Sequence, residues 1–101
     1  MVVVFSHTGG TRETGLVLDA GRARGAFGVV VTSNPESALA RRADVVLTTT
    51  ARESRYRSGA MASRIAQLMV VDCLFVAVAR LRHADTTEAL RRTWDAAQQL
   101  R

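Results

Sequence analysis

Three short apolar runs constrain the fold of this chain more than any other feature. They lie within residues 2–5, 27–32 and 44–48 and are rich in β-branched side chains. Uninterrupted apolarity, as opposed to alternation, is typical of strands that are covered on both faces of a parallel sheet. Segments 11–24 and 34–42, which separate the runs, have helical character. The order β-α-β-α-β therefore predicts an α/β fold with right-handed parallel crossovers.

Local signals also predict where the first two helices begin and end. Gly25 is placed to stop the first helix. Asn34 can cap the second helix, and Pro35 suits its first helical position. The second helix is predicted to end near Arg42. The inward face of the first helix is predicted to carry Leu16, Ala20 and Ala23.

Two further helices are predicted in the C-terminal half. The first is long, from about residue 58 to residue 81, and its middle is apolar nearly all round. We therefore expect it to be enclosed by the sheet, another helix or another subunit. Within it, Asp72 is expected to be a hydrogen-bonded structural acid or to lie at a subunit contact, and Cys73 to be a buried, inert thiol. Asp85 and Glu88 indicate a capping box for the last helix. The inward stripe of that helix is predicted to be Leu90, Trp94 and Ala97.

The length and composition fit a single domain. With 101 residues, of which 48% are hydrophobic, the chain is long enough for one compact domain and too short for two. Its longest apolar stretch, 68–79, is interrupted by Asp72 and is shorter than the roughly 20 residues that cross a bilayer. No basic region precedes the first apolar run, so a signal peptide is not indicated. We expect a soluble, cytoplasmic protein with no membrane partner.

The net charge is +5 at pH 7, and all 14 basic residues are Arg. These residues are scattered and have few aromatic neighbours, so we expect most of them on solvated helix faces and not in a nucleic-acid surface. Cys73 is the only cysteine, and His7 and His83 are the only histidines. We therefore expect no disulfide, no metal site and no cofactor.

The turn after the first apolar run carries the main functional signal. It reads Ser6-His7-Thr8-Gly9-Gly10-Thr11 and leads into the first helical segment. Hydroxyls and small-residue amides at a helix N-terminus favour an anion. The chain has no Lys for a P-loop, and its glycine spacing does not fit a dinucleotide fingerprint. A small phosphorylated metabolite is therefore favoured over a nucleotide, with simple helix capping by Ser and Thr as the alternative.

Two more polar turns, 32–34 and 48–50, follow the other predicted strands. The carboxyl ends of parallel strands meet at the same edge of a sheet, which is where α/β proteins bind ligands. We therefore expect the three turns to lie close together. Their coincidence favours phosphate binding over capping at the first turn.

Four segments in order, 6–14, 32–35, 43–46 and 58–68, resemble a known family, and the set spans residues 2 to about 80. They resemble the SIS (sugar isomerase) phosphosugar-binding domain and, within that superfamily, the RpiR/MurR group of bacterial transcription regulators. The resemblance implies a flavodoxin-like, three-layer αβα sandwich, here partial with about three strands. It also implies a phosphorylated sugar or amino sugar as ligand, and homo-oligomers.

The resemblance further implies which residues bind the ligand. In SIS domains the S-x-[ST]-G-x-T loop holds the phosphate, and here it corresponds to Ser6, Thr8, Gly9 and Thr11. The turn after the second strand and the start of the long helix usually face the sugar. The residues implied there are Ser33, Ser58 and Ser63.

A sensor is favoured over an enzyme. Isomerases of the superfamily often supply a Glu at the start of the long helix as a base, but that stretch has no carboxylate here. The nearest, Glu53, is expected to be solvated or paired with Arg52 or Arg55. His7 is expected to have a structural or phosphate-proximal role. We therefore expect an effector domain that controls carbohydrate-metabolism genes, with an isomerase or a non-binding oligomerisation remnant as alternatives.

The sequence also departs from the family pattern. SIS domains normally have helices and two strands ahead of this loop, and RpiR-type regulators carry an N-terminal helix-turn-helix; here only Met1 precedes the first strand. Residues 1–101 are therefore predicted to be the C-terminal part of a SIS domain, which reaches DNA only through a helix-turn-helix that this chain lacks. The edge of the first strand would be uncovered, so we expect self-association or marginal stability.

Overall fold

The computed structural model describes residues 1–52 and 61–101. Three strands form a parallel sheet in the order β1-β2-β3: β1 is Val2–Phe5, β2 is Gly28–Thr32 and β3 is Val45–Thr48. In its register Val4 lies opposite Val30, which lies opposite Val46. The predicted α/β fold with a parallel sheet is therefore confirmed.

In the described part of the chain, four helices accompany the sheet. The first two, α1 (Arg12–Ala23) and α2 (Ala38–Arg41), are the crossovers between consecutive strands. The long helix α3 covers Met61–Leu81, and α4 covers His83–Gln99. By its contacts the chain divides into two compact units, Met1–Val70 and Val71–Arg101.

The core of the first unit lies between the sheet and its two crossover helices. Val4 and Val30 from the strands pack with Leu18 of α1 and Leu39 of α2, and all four are at most 5% exposed. Because these strand residues share one face, α1 and α2 lie on that face. On the opposite face of β2, Val31 is also fully buried. The central strand is thus covered on both sides, as its uninterrupted apolarity predicted.

The inward face of α1 differs from the prediction. Gly15 and Leu18 are the buried residues of this helix, whereas Leu16 is 61% exposed and Ala20 and Ala23 are exposed. A Cβ added at Gly15 would lie 2.7 Å from the guanidinium of Arg42. The helix therefore turns Gly15 toward the α2 region, and Leu18 is the side chain that it buries in the core.

The helix ends confirm one predicted signal and correct another. Gly25, with φ of +82°, follows the C-cap of α1 and donates its N–H to the Arg22 carbonyl, as predicted. The cap of α2 is Ser37 and not Asn34, because the Ser37 hydroxyl accepts from the Ala40 N–H at 3.2 Å. Asn34 instead accepts from the Glu36 N–H within the preceding turn. The Asn34 side chain therefore stays within this turn and does not cap α2.

Within the second unit, several predictions of burial are wrong. Cys73 is exposed, and the side chain of Phe75 is 56% exposed. Asp72 is exposed as well, so it is not a buried structural acid, and its place at a subunit contact stays a prediction. The predicted inward stripe of α4 is also exposed, since Leu90 is 53% and Trp94 64% exposed; Ala97 is exposed as well. Apolar periodicity identified the helices but not a partner that covers them.

The start of α4 also differs from the prediction. The helix begins at His83, so that Arg82 alone separates it from α3, and Arg82 is its N-cap without a side-chain cap. Asp85 therefore lies inside the first turn, where it pairs with Arg82 at 3.2 Å. Glu88 pairs with Arg91 at 2.9 Å. Both acids form exposed ion pairs along the helix surface, so no capping box forms.

Helix α3 is also long and apolar enough to cross a membrane, judged by length and composition alone. Only 6% of its most apolar 18-residue window is buried. A core helix of a water-soluble protein can have the same length and composition, and in that case it is normally mostly buried. The exposure of α3 therefore differs from that of a typical core helix.

Candidate functional site

The loop that follows β1 is held together by its own hydroxyl groups. Ser6 is 4% exposed, and its Oγ lies 2.8 Å from Oγ1 of Thr11, the residue that precedes α1. The same Ser6 Oγ accepts the N–H of Gly9 at 3.1 Å. The N–H of Gly10 is directed at Oγ1 of Thr8 at 3.3 Å. The first and last hydroxyls of the predicted loop are thus joined, with Gly9 between them.

Thr11 occupies the N-cap position of α1 but does not cap the helix with its side chain. Its backbone is extended, and no cap hydrogen bond is formed by its hydroxyl. The first backbone hydrogen bond of the helix runs from the Gly15 N–H to the Thr11 carbonyl. The amides of the first turn, which have no partner inside a helix, therefore remain available at this end as far as residues 1–52 and 61–101 are concerned. Helix capping by a Thr side chain was the alternative to phosphate binding, and Thr11 does not cap α1 in this way.

Gly9 is fixed by close contact with the start of α2. It is buried with φ of +72°, and a Cβ at this position would lie 2.0 Å from Oγ of Ser37 and 3.2 Å from Oγ1 of Thr32. The Gly9 carbonyl accepts the N–H of Leu39 at 3.4 Å. The loop is therefore seated on the second crossover, and only a residue without a side chain fits there.

A second set of polar contacts surrounds the backbone carbonyl of His7. This oxygen accepts from the Ser33 N–H at 3.0 Å, from Oγ of Ser33 at 2.6 Å and from Oγ1 of Thr32 at 3.1 Å. The Thr49 N–H donates to the Thr32 carbonyl at 3.0 Å, which extends the β2–β3 ladder. The turns after all three strands are therefore joined at one edge of the sheet, as expected from the sequence.

The hydroxyl of Ser6 points toward Thr11 at the start of α1. His7, Ser33 and Thr49 follow the three strands in these joined turns, and we call these three residues the polar row. The edge therefore has the loop after β1 and, next to it, a polar row.

Two buried polar atoms of that row have no hydrogen-bond partner among the residues that the structure describes: Nδ1 of His7 and Oγ1 of Thr49. Thr49 is only 6% exposed, so water has little access to its hydroxyl. Buried polar atoms in folded proteins are nearly always hydrogen-bonded, and an exception calls for an explanation. A polar ligand at this edge would supply one.

The predicted site residues separate into three sets. Ser6, Gly9 and Thr11 are brought together, and Thr8 is beside them and exposed. Ser33 lies on the polar row. Of the helix residues, Ser63 is 1% exposed within α3, whereas Ser58 lies outside the described residues, as does Glu53.

Sequence reasoning missed Ser37, Thr32 and Thr49 as parts of the site. Thr32 and Thr49 are in the polar turns, but nothing in their spacing distinguishes them from neighbouring hydroxyls. Ser37 joins the loop to α2 only because the two crossovers pack side by side. Among the residues that the structure describes, no three His, Cys, Asp or Glu side chains are grouped as a metal site would require.

Asp44 forms a clasp at the opposite, amino-terminal end of the strands. Its carboxylate pairs with Arg22 of α1 and accepts the N–H of Gly28 at 2.7 Å. The hydrogen bond from Arg22, followed by that from Gly28, lowers the pKa of Asp44 below its usual value. The same pairing raises the pKa of Arg22. This clasp fixes α1 relative to β2 and β3 and so supports the loop at the far end of the helix.

Comparison with known proteins identifies the class of domain. Residues 1–77 match the family profile described as the SIS domain. The chain is 39% identical over 89 residues to an uncharacterized HTH-type transcriptional regulator of Caldanaerobacter subterraneus subsp. tengcongensis. That match covers 88% of this chain and 32% of the regulator, so the chain spans about a third of its relative.

A solved structure described as that of a hypothetical protein has the same fold. It superimposes with a TM-score of 0.66 and 21% identity, over 80% of this chain and 47% of the other. The parallel sheet, the loop after β1 and the family match agree. This chain belongs to the SIS domain family.

Proposed function

We propose that the loop of Ser6, Thr8, Gly9 and Thr11 binds the phosphate group of a phosphorylated sugar or amino sugar. The observation that carries this proposal is the Thr11 hydroxyl, which bonds to Ser6 and leaves the first-turn amides of α1 uncapped. Backbone amides and the helix dipole at this end favour a negative charge. A phosphate oxygen would take the position that a capping side chain usually occupies.

The exposure of the loop side chains supports the same assignment. Thr8 and Thr11 are exposed, whereas Ser6 is buried beneath them. We therefore propose that the two threonine hydroxyls contact phosphate directly. Ser6 would contribute indirectly, because its hydroxyl orients the Thr11 hydroxyl and accepts the N–H of Gly9. Arg12, the next residue, carries a positive charge at the rim.

We propose that the polar row contacts the sugar. Nδ1 of His7 and Oγ1 of Thr49 are buried without partners, and hydroxyl groups of a sugar can both donate and accept hydrogen bonds. Ser33 donates to the His7 carbonyl and keeps lone pairs that can accept. Ser63 of α3 and Ser58, which lies outside the described residues, are proposed on the family resemblance to contact the sugar as well.

In the full-length protein we propose an effector domain of an RpiR-type regulator of carbohydrate-metabolism genes. The support is the SIS family match and a relative described as an HTH-type transcriptional regulator. Ligand binding would bias the equilibrium between two arrangements of a homo-oligomer whose helix-turn-helix domains lie outside this chain. Such a regulator would act in the cytoplasm, where it meets both DNA and metabolites.

Calorimetric titration with a panel of sugar phosphates and amino-sugar phosphates tests the proposal. We expect binding by at least one member and not by the matching unphosphorylated sugar. Substitutions T8A and T11A should each weaken it about tenfold, since a hydrogen bond to a charged group contributes roughly 1.5–3 kcal/mol. The matched control is T93A on α4, where the hydroxyl donates to the Ala89 carbonyl. It should leave binding unchanged.

The alternatives give different results in the same experiments. An isomerase would exchange the C2 proton of a bound aldose phosphate with deuterium from solvent, which NMR detects, whereas an effector domain would not. An oligomerisation remnant would bind no member of the panel, and T8A and T11A would have no effect. Either result would contradict the effector function.

A further inference from the structure

The second half of α3 carries an open groove that no other part of its unit fills. The groove has a volume of about 400 Å³ and is lined by Asp72, Cys73, Val76, Ala77 and Arg80. These positions recur at the spacing of one helix face. At its centre Val76 is 53% exposed. The groove is therefore apolar in the middle and bears one acidic and one basic side chain at its two ends.

This distribution of charge is complementary to itself. Asp72 is the only acidic residue of α3, and Arg80 lies eight residues further along the helix. Eight residues correspond to about 12 Å of helix, so the two groups are too far apart to pair within one chain. Neither forms an ion pair in the described part of the chain, although Arg82, Arg91 and other helical charges do.

We propose that this groove is an interface at which two copies of the chain pack through antiparallel α3 helices, with a two-fold axis at Val76. A rotation about that axis brings Asp72 of each copy level with Arg80 of the other. Two ion pairs then flank an apolar centre, and the same surface is used by both copies, as two-fold symmetry requires. This interface does not depend on the proposed ligand.

The charges favour a second copy over a lipid bilayer as the occupant. Helix α3 is long and apolar enough for a membrane span, but Asp72 is the twelfth of its 21 residues. A transmembrane orientation would place this carboxylate near the bilayer centre, where an ionised side chain is costly without a partner. A second copy gives the carboxylate an arginine instead.

Charge reversal tests the interface. In sedimentation equilibrium we expect the intact chain to dimerise, and D72R and R80D each to raise the dimer dissociation constant about tenfold or more, because symmetry introduces each repulsion twice. The double variant D72R/R80D exchanges the charges and should restore the dimer. R92D, an equal charge change on α4, should have no such effect. Circular dichroism checks that every variant keeps its helices.

Cysteine crosslinking tests the position of the axis. In a C73S background, V76C places two thiols at the proposed axis and should form a disulfide-linked dimer under mild oxidation. V71C in the same background lies on the opposite side of the helix, is similarly accessible at 41% exposure, and should not form one. Crosslinking of V71C but not of V76C would overturn the proposed orientation.

Other occupants of the surface lead to other results, and each of them would overturn the proposal. Pairing through the edge of β1 would give a dimer that is insensitive to D72R and R80D. A monomer over the whole concentration range would exclude the interface. Sedimentation of the chain with vesicles of phosphatidylcholine and phosphatidylglycerol, unaffected by the double variant, would instead assign α3 to a membrane.

Discussion

Gly9 is the residue whose substitution the structure constrains most. Its φ of +72° is unfavourable for any residue with a side chain, and a Cβ would lie 2.0 Å from Oγ and 2.2 Å from Cβ of Ser37. Ser37 cannot move away without losing its bond to the Ala40 N–H. We expect G9A to lower the free energy of unfolding by about 3 kcal/mol or more. Urea denaturation measures this directly.

Two other glycines provide controls for G9A. Gly25 has φ of +82°, and no atom lies within 4 Å of the place that a Cβ would occupy, so G25A should cost only the conformational term, about 1 kcal/mol. At Gly10 the nearest atom would be 3.8 Å away, and φ is not positive. G10A should therefore change stability by less than about 0.5 kcal/mol. Equal effects at all three positions would show that the contact with Ser37 does not restrict Gly9.

At this scale the sequence predicted which residue types the candidate site carries but not the hydrogen bonds between them. The hydroxyls of Ser6, Thr8 and Thr11 could be singled out from their types and their place after a strand. The pairing of Ser6 with Thr11 depends on the path of the loop, and the role of Ser37 depends on how α2 packs. Neither follows from spacing along the chain.

At the scale of elements, the clasp of Asp44 holds the amino-terminal end of the sheet to α1. The guanidinium of Arg22 and the N–H of Gly28 lower the pKa of Asp44, so the carboxylate is favoured in the folded chain. A lowered pKa means that this stabilisation is complete above the unfolded value of about 3.9 and declines as the pH falls through the folded value.

We expect D44N to reduce stability at neutral pH, because the Asn oxygen can still accept from Gly28 but no longer pairs with a charge. The difference from the unsubstituted chain should hold down to about pH 5 and shrink below about pH 4. Urea midpoints measured across this range test it. D95N, which breaks an exposed pair with Arg91 on α4, is the charge-matched control and should have little effect. A difference that does not depend on pH would contradict the role of the charge.

The helices also show why the apolar pattern alone predicted the wrong buried residues. In α1 the pattern favoured Leu16, yet Gly15 and Leu18 are the buried residues, because Leu18 packs against the strands and α2. In α3 apolar residues lie all round the helix, so no face could be preferred from the sequence. The Asp72 and Arg80 spacing becomes informative only when both are seen to line one groove.

For the whole molecule, the two units should differ in local stability. Val30 and Val31 in the central strand are fully buried, whereas no residue of α4 is buried. Amide hydrogen exchange should therefore be slowest in β2 and on the order of 100-fold or more faster in α4. Mass spectrometry of peptic fragments measures both. Equal protection of α4 would show that an assembly covers this helix.

The sequence by itself determined the strand-helix order, the parallel sheet and the class of residues after each strand. It could do so because apolar runs, helix stops and hydroxyl-rich turns are local properties of a chain. Only the tertiary structure decided which face of α1 is buried, that Ser37 seats Gly9, and that His7 and Thr49 share a row with unpartnered atoms. These relations join residues that are distant in sequence, and they arise from close packing and strand register, which local patterns do not encode.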